Sequence, residues 1–503
     1  MIATNSSVSP VAPNGSCADR EWWYIPAVSA PEVHAPGQAG SGTHPPSATG
    51  RAERVRAMLT DLFPAPGGSA SRAALARWGF VFIQVVVVGV GAVAMLARLG
   101  GRPAWESVWA EDPGIYLPAA LAHPWHLLQS YGGYLQLVPR VIGQIAALLP
   151  VRHASVAFAV GGALVASAVG VFVYYASDGI VSSRWLRVML GLSVVLLPVA
   201  QLEIADNGVN TIWYLLVGLF WAALWRPRTR AGAAVAAVLA FAAAASTSLG
   251  LVFAPLFAAR AIVVPRRLRE HVVTAGWALG CLVQFLVIVT SHTSRLTPHN
   301  PLNAVAYYTR EVLLPTIGWH LSWHLRDLIG VNAAAALVGG LILIVLAAAV
   351  VTQPGRTRVF VVTAVLTGLV FTAITSAFAW GGPGQPVMIK VEHGARYSTL
   401  PILLLDAALI VAADACARRW WPHPKAIVAV VALVAVLGVG WATDFRYPVR
   451  RLAGPASAWK TTANAWLRHC DRHPAGTITV SFKDWWGGKT PLTSTFSCTS
   501  LHR

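Results

Sequence analysis

From Trp78 to about residue 445 the chain alternates long apolar runs with short polar gaps. Candidate spans fall at 78–98, 154–176, 187–201, 209–225, 231–246, 249–264, 272–291, 331–352, 359–380, 398–416 and 426–445. Several reach the roughly 20 residues a helix needs to cross a hydrocarbon core. The pattern predicts an all-α polytopic membrane protein with about eleven transmembrane helices. The two short segments around Ser246-Thr-Ser-Leu-Gly250 could instead be one broken helix, which would invert the parity of everything after them.

The flanks differ from this core. Residues 1–74 are rich in Pro, Gly, Ser and Ala, lack a sustained apolar period, and read as a disordered cytoplasmic leader. The first apolar run begins too late and is too long for a secretory signal peptide. Residues 75–445 form the transmembrane domain, and 446–503 a small extracytoplasmic segment with Trp459, Trp466, Trp485 and Trp486 and a possible strand at Thr477-Ile-Thr-Val-Ser-Phe482. That tail is too short for a sizeable core of its own and is expected to pack on the outer loops. Within the domain, 99–153 mixes aromatic residues with Pro and Gly, which predicts short helices lying at the membrane interface.

Composition supports the class. Of 503 residues 56% are hydrophobic and 12% charged, with mean hydropathy +0.58, whereas soluble domains carry about 25% charged residues. The net charge of +18 raises a polyanion partner, but its distribution argues against nucleic acid. The arginines cluster in gaps: Arg226, Arg228 and Arg230; Arg260, Arg266, Arg267 and Arg269; Arg356 and Arg358; Arg418 and Arg419. This is the positive-inside pattern, and it places those gaps and the leader in the cytoplasm of a multi-pass plasma-membrane protein. Glu106, Glu111, Asp112, Glu203, Asp206, Glu311, Asp327 and Glu392 then all fall on the extracytoplasmic side. Membrane lipids are the one partner this composition implies directly. Cys470 and Cys498 share the tail, either as a disulfide, which an oxidising compartment permits, or as two free thiols.

Acids at a membrane edge are functional candidates by default. Glu111 and Asp112, followed by Pro-Gly, could supply one general base or two oxygen ligands for Mg²⁺ or Mn²⁺. Glu203, Asp206, Asn207 and Asn210, just before Trp213-Tyr214, could bind sugar hydroxyls beneath an aromatic face; helix capping would account for one of them. His393 and Arg396 enter a span from outside and suit a phosphate, as does Arg140 more weakly; snorkelling is the alternative. Tyr131 and Tyr134 could bind substrate or belong to an interfacial belt. Trp319-His-Leu-Ser-Trp-His324 puts two histidines on one helical face without an HExxH-type partner set. No Walker A loop, GxSxG elbow or dinucleotide fingerprint occurs.

Taken together, the first-loop acidic pair, Tyr131-Gly-Gly-Tyr134 with Val138-Pro-Arg140, Glu203 with Asn207 before Trp213, and Arg396-Tyr397 with Leu400-Pro401 resemble the GT-C-type integral-membrane glycosyltransferases. The resemblance implies transfer of a sugar from a polyprenyl-phosphate donor to a glycan, lipid or protein acceptor of the cell envelope. It implies Asp112 or Glu111 as base or metal ligand. Arg396, with His393 or Arg140, would face the donor phosphate, and Glu203, Asp206, Asn207, Trp213, Tyr131 and Tyr134 the substrate. Glu-Asp stands where that family has Asp-x-Asp. Two rivals stand beside it: a transporter or lipid-carrier flippase, with outer carboxylates coupling protons, and a non-catalytic envelope-assembly protein.

Overall fold

The computed structural model describes residues 48–64, 74–109, 111–264, 268–291, 303–353, 355–378, 395–420, 423–446, 458–482 and 492–502. Two compact units divide between Arg51 and Ala52. Of the first unit only the opening residues of one helix are described, and the architecture is that of the second, Ala52–Arg503.

A helix, α1 (Ala48–Leu62), stands inside the stretch whose composition predicts disorder. Ala, Glu, Arg, Met and Leu favour helix there, and Leu62 and Phe63 at its end are buried. After α2 (Ala74–Arg98), the segment 99–153 holds a π-helical turn at Asp112–Tyr116, α3 (Leu117–Ala122), the hairpin β1 (Ser130–Tyr131) and β2 (Tyr134–Leu135), and α4 (Leu137–Ala147). Next come α5 (Ala154–Ala176), α6 (Arg184–Leu196), α7 (Ala200–Glu203), α8 (Thr211–Leu224), α9 (Arg230–Ala244), α10 (Ala254–Val263) and α11 (Leu268–Thr290). The chain continues through α12 (Asn303–Tyr307), a π-helical stretch at Tyr308–Leu313, α13 (Trp319–Ile329), α14 (Val331–Thr352), α15 (Gly355–Phe378), α16 (Ala395–Trp420) and α17 (Pro424–Thr443). The tail is α18 (Trp459–Arg472), β3 (Thr477–Phe482), β4 (Leu492–Ser497) and α19 (Cys498–Leu501).

This is an integral, polytopic α-helical membrane protein. Among the described residues six helices are long and apolar enough to cross a bilayer: Val81–Arg98, Val151–Gly179, Glu270–Thr290, Val331–Thr352, Gly355–Ala377 and Arg396–Trp420. Among the described residues the other five candidate spans do not combine that length and hydropathy. The uncertain pair around Ser246 is a reversal, not one broken helix. Past the end of α9, Ala245 accepts from the Leu137 N–H, and Ser246 Oγ accepts from Val138 N–H at 3.0 Å. Near the end of α10, Arg260 donates to the carbonyls of Ala223 (3.0 Å) and Trp225 (2.6 Å), where α8 finishes. The chain therefore runs to the α4 end of the bundle and back.

Charge is segregated by end. At one end Asp178 pairs with Arg187 and Arg228, Glu270 with Arg226 and Arg260, and Asp414 with Arg418. Arg356 reaches the Gly179 carbonyl there, and the Asp414 carboxylate accepts from Ser182 and Ser183 N–H. Four arginine-rich gaps thus meet at one place. Glu111, Asp112, Glu203 and Arg396 gather at the opposite end. Arg98, fully buried at the end of α2, donates to the Val195 and Leu197 carbonyls, closing the C-terminus of α6.

The tail packs on the acid-bearing segment. Trp459, Trp466, Phe482 and Phe496 share one core with Trp109, Tyr116 and Ile142. Trp459 Nε1 donates to the Val151 carbonyl at 2.8 Å, and Ser494 Oγ donates to the Gly114 carbonyl. The strand expected at Thr477–Phe482 is β3, paired antiparallel with β4, and Cys470 and Cys498 are disulfide-bonded.

Candidate functional site

Glu111 and Asp112 are neighbours with different surroundings. Asp112 is wholly buried, and its carboxylate accepts two backbone N–H groups of one turn: Gly208 on Oδ2 (3.1 Å) and Val209 on Oδ1 (3.0 Å). Two glycines permit this approach. A Cβ on Gly208 would meet Phe158 at 2.8 Å and Asp112 Oδ1 at 3.1 Å, and one on Gly162 of α5 would meet the Asn207 carbonyl oxygen at 2.5 Å. Asp112 therefore ties the π-helical turn to the 204–210 turn. Glu111 points elsewhere. It is 9% exposed, and its Oε2 is buried without a hydrogen-bond partner. Burial raises its pKa above the ordinary carboxylate range; the Arg396 guanidinium, a backbone hydrogen bond and one from Trp109 partly oppose this, and Glu203 reinforces it.

Glu203 ends α7 and grips Arg396 at the start of α16. Its Oε1 pairs with Arg396 Nη1 at 2.9 Å, and its Oε2 accepts the Arg396 backbone N–H at 3.1 Å. The guanidinium also lies over the Tyr397 ring, 5.2 Å from its centroid. Trp213 backs Tyr397 edge-to-face at 5.1 Å, its own Nε1 donating to Asn210 Oδ1 at 3.0 Å. Tyr134 of β2 completes this side. Its phenol, pushed up to about 12 mainly by burial, feels Tyr397, Arg396 and Glu111 and bonds Gln136. Tyr307 of α12, whose phenol burial also raises, faces Ser398, Glu203 and Tyr397. Segments far apart in sequence thus converge on one buried cluster.

Other expected residues lie outside that cluster. Asp206, in the left-handed region at φ 55°, is an electrostatic partner of Arg98, as is Asp444. Asn207 serves its own turn: Nδ2 donates to the Glu203 (2.8 Å) and Ala205 (3.2 Å) carbonyls, and Oδ1 accepts from Asn210 N–H. Arg140 donates to Gln129 Oε1 and the Ser130 carbonyl, both at 3.2 Å, and lies over Tyr116. Tyr131 packs edge-on against Tyr116 at 6.1 Å. His393, with Glu392, lies outside the described residues.

Mg²⁺ and Mn²⁺ need several oxygen ligands. Among the described residues no three His, Cys, Asp or Glu side chains gather, and Asp112 and Glu111 point to different partners. Among the described residues, Glu111 and Asp112 therefore do not form a Mg²⁺ or Mn²⁺ centre.

Sequence reading missed three features. Gly132 and Gly133, both at positive φ (59° and 87°), make the tight turn between β1 and β2, where interfacial helix was expected; Gly-Gly between aromatic residues is a hairpin signal. Arg98 was hidden at the end of an apolar run. The third is Asp406, inside α16 and 2% exposed, whose Oδ1 has no hydrogen-bond partner; an acid inside a span is its signal. No protein-family model matches the chain, and no curated protein matches it.

Proposed function

We propose that the protein is a glycosyltransferase that moves a sugar from a polyprenyl-phosphate donor to an envelope acceptor, with Glu111 as general base. The observation that carries this is Glu111: a buried carboxyl with an unpartnered oxygen, beside an Arg–Glu pair and a ring of tyrosines. Its raised pKa suits a base working near neutrality. The arginine-rich end would face the cytoplasm. The Cys470–Cys498 disulfide on the acid side fits an oxidising, extracytoplasmic compartment.

In this reading Glu111 takes the proton of the acceptor hydroxyl as that oxygen attacks the anomeric carbon. The carbon–oxygen bond to phosphate breaks, polyprenyl phosphate leaves with the bonding pair, and the configuration inverts. Glu111, Glu203 and Arg396 sum to one negative charge before the step and to zero once Glu111 is protonated. Negative charge thus leaves the cluster as it grows on the phosphate. Arg396, held by Glu203, meets that charge without reorganising. Asp112 acts as a positioning residue, holding the Glu111 backbone against the 204–210 turn.

Transfer in membranes to an acceptor extract, from radiolabelled polyprenyl-phosphate sugars, tests this. Glu111→Gln should lose about 10²–10⁴-fold in rate. The acid limb of the wild-type pH profile should lie above the ordinary Glu range, because the base must be ionised and burial raises its pKa. Unchanged transfer by Glu111→Gln would end the proposal. Asp406 favours a second reading, a transporter that carries a proton on a buried acid. Substrate uptake lost in Asp406→Asn and kept in Glu111→Gln would favour it.

A further inference from the structure

The Trp319–His324 motif takes no part in the cluster above, and α13 gives it a geometry of its own. His320 and His324 stand one turn apart on an exposed face, their Nε2 atoms 3.1 Å from each other and their ring planes at 90°. The helix beneath them is fixed at both ends. Gly318 (φ 101°) and Gly330 (φ 82°) bound it, and the Asp444 carboxylate accepts the His320 N–H at 3.0 Å and the Trp319 N–H beside it. Arg326 lies over both Trp319 and Trp323 and pairs with Glu311, holding a neighbouring face.

Two imidazole nitrogens that bind one metal at the usual 2.0–2.1 Å are held apart by the angle at the metal. A spacing of 3.1 Å corresponds to an angle of roughly 100°, between the square and tetrahedral values. We infer that His320 and His324 form a two-imidazole chelating site for a borderline divalent transition metal, Zn²⁺ or Cu²⁺, with water completing the shell. In the free protein one ring donates its Nε2–H to the other. On binding, that ring moves its proton to Nδ1, so both Nε2 lone pairs face the ion and no net proton is released. Hard cations such as Mg²⁺ prefer oxygen and are excluded by ligand type. A second pair four residues apart, His469 on α18 and His473 just past its end, has ring centroids 5.0 Å apart and serves as an internal comparison.

The test is Zn²⁺ titration by calorimetry of the full chain in detergent, carrying no polyhistidine tag. Wild type should bind Zn²⁺ and not Mg²⁺ at this site. His320→Ala and His324→Ala should each weaken the tightest class of sites by more than about tenfold, and His469→Ala should leave it intact. Both histidines are exposed, so metal-free melting curves of the variants should match wild type. Electron paramagnetic resonance of Cu²⁺ on the unmodified protein should show two equatorial imidazole nitrogens, and one in either variant. Zn²⁺ affinity unchanged in both variants, or a single-nitrogen Cu²⁺ spectrum in wild type, would overturn the assignment.

Discussion

Asp112→Asn should destabilise the acid-bearing end of the bundle by about 2–4 kcal/mol. The carboxylate accepts two backbone N–H groups, at 3.0 and 3.1 Å, in a fully buried setting. Bonds to a charged acceptor contribute about 1.5–3 kcal/mol each, and neutral ones about 1. Asn keeps one acceptor oxygen but turns its NH₂ toward the other backbone N–H, leaving a buried donor unmet at a further cost of about 1–3 kcal/mol. The turn cannot step aside, because Gly208 is crowded by Phe158 and Gly162 by the Asn207 backbone. The assay is thermal unfolding in detergent, followed by tryptophan emission and by loss of the monodisperse peak. Glu111→Gln is the matched control: it removes a charge but leaves both bonds from Asp112 to the 204–210 turn in place, so it should lower the midpoint by less than Asp112→Asn does. Wild-type melting by Asp112→Asn, together with a larger loss in Glu111→Gln, would refute the assignment of Asp112 as the anchor.

Glu203→Gln should cost about 3–5 kcal/mol, as for a broken buried ion pair, and adding Arg396→Gln should restore part of it; a double-variant cycle in the same melts reads this. Burial raises Glu311 to about 7 despite Arg326. Its folded pKa lies above the unfolded value, so its stabilising contribution is full below about 4.3 and is lost as pH rises toward 7. Wild type should therefore gain more on acidification from pH 8 to 5.5 than Glu311→Gln does, when melts at both pH values are compared. Cys470→Ser opens a disulfide between residues 28 apart; the tail should lose about 3–4 kcal/mol and be cut sooner in limited proteolysis, with α14–α16 unaffected.

Sequence alone determined the membrane class, the helical stretches, the grouping of arginine-rich gaps at one end and the β3 strand. These rest on composition and local periodicity, which need no knowledge of distant neighbours. The acids were legible as a set because charge is rare in an apolar chain. Their roles were not. Which of Glu111 and Asp112 is the anchor depends on a turn nearly a hundred residues away, and Arg396 meets Glu203 across 193 positions. Asn207 reads like a sugar ligand until its amide is seen bonding its own turn. Asp206 belongs with Arg98 rather than Arg396 because α2 ends beside it. Only the tertiary structure decided these pairings. A buried charge must find its partner by packing, and local spacing does not say which of several rare charges it will meet.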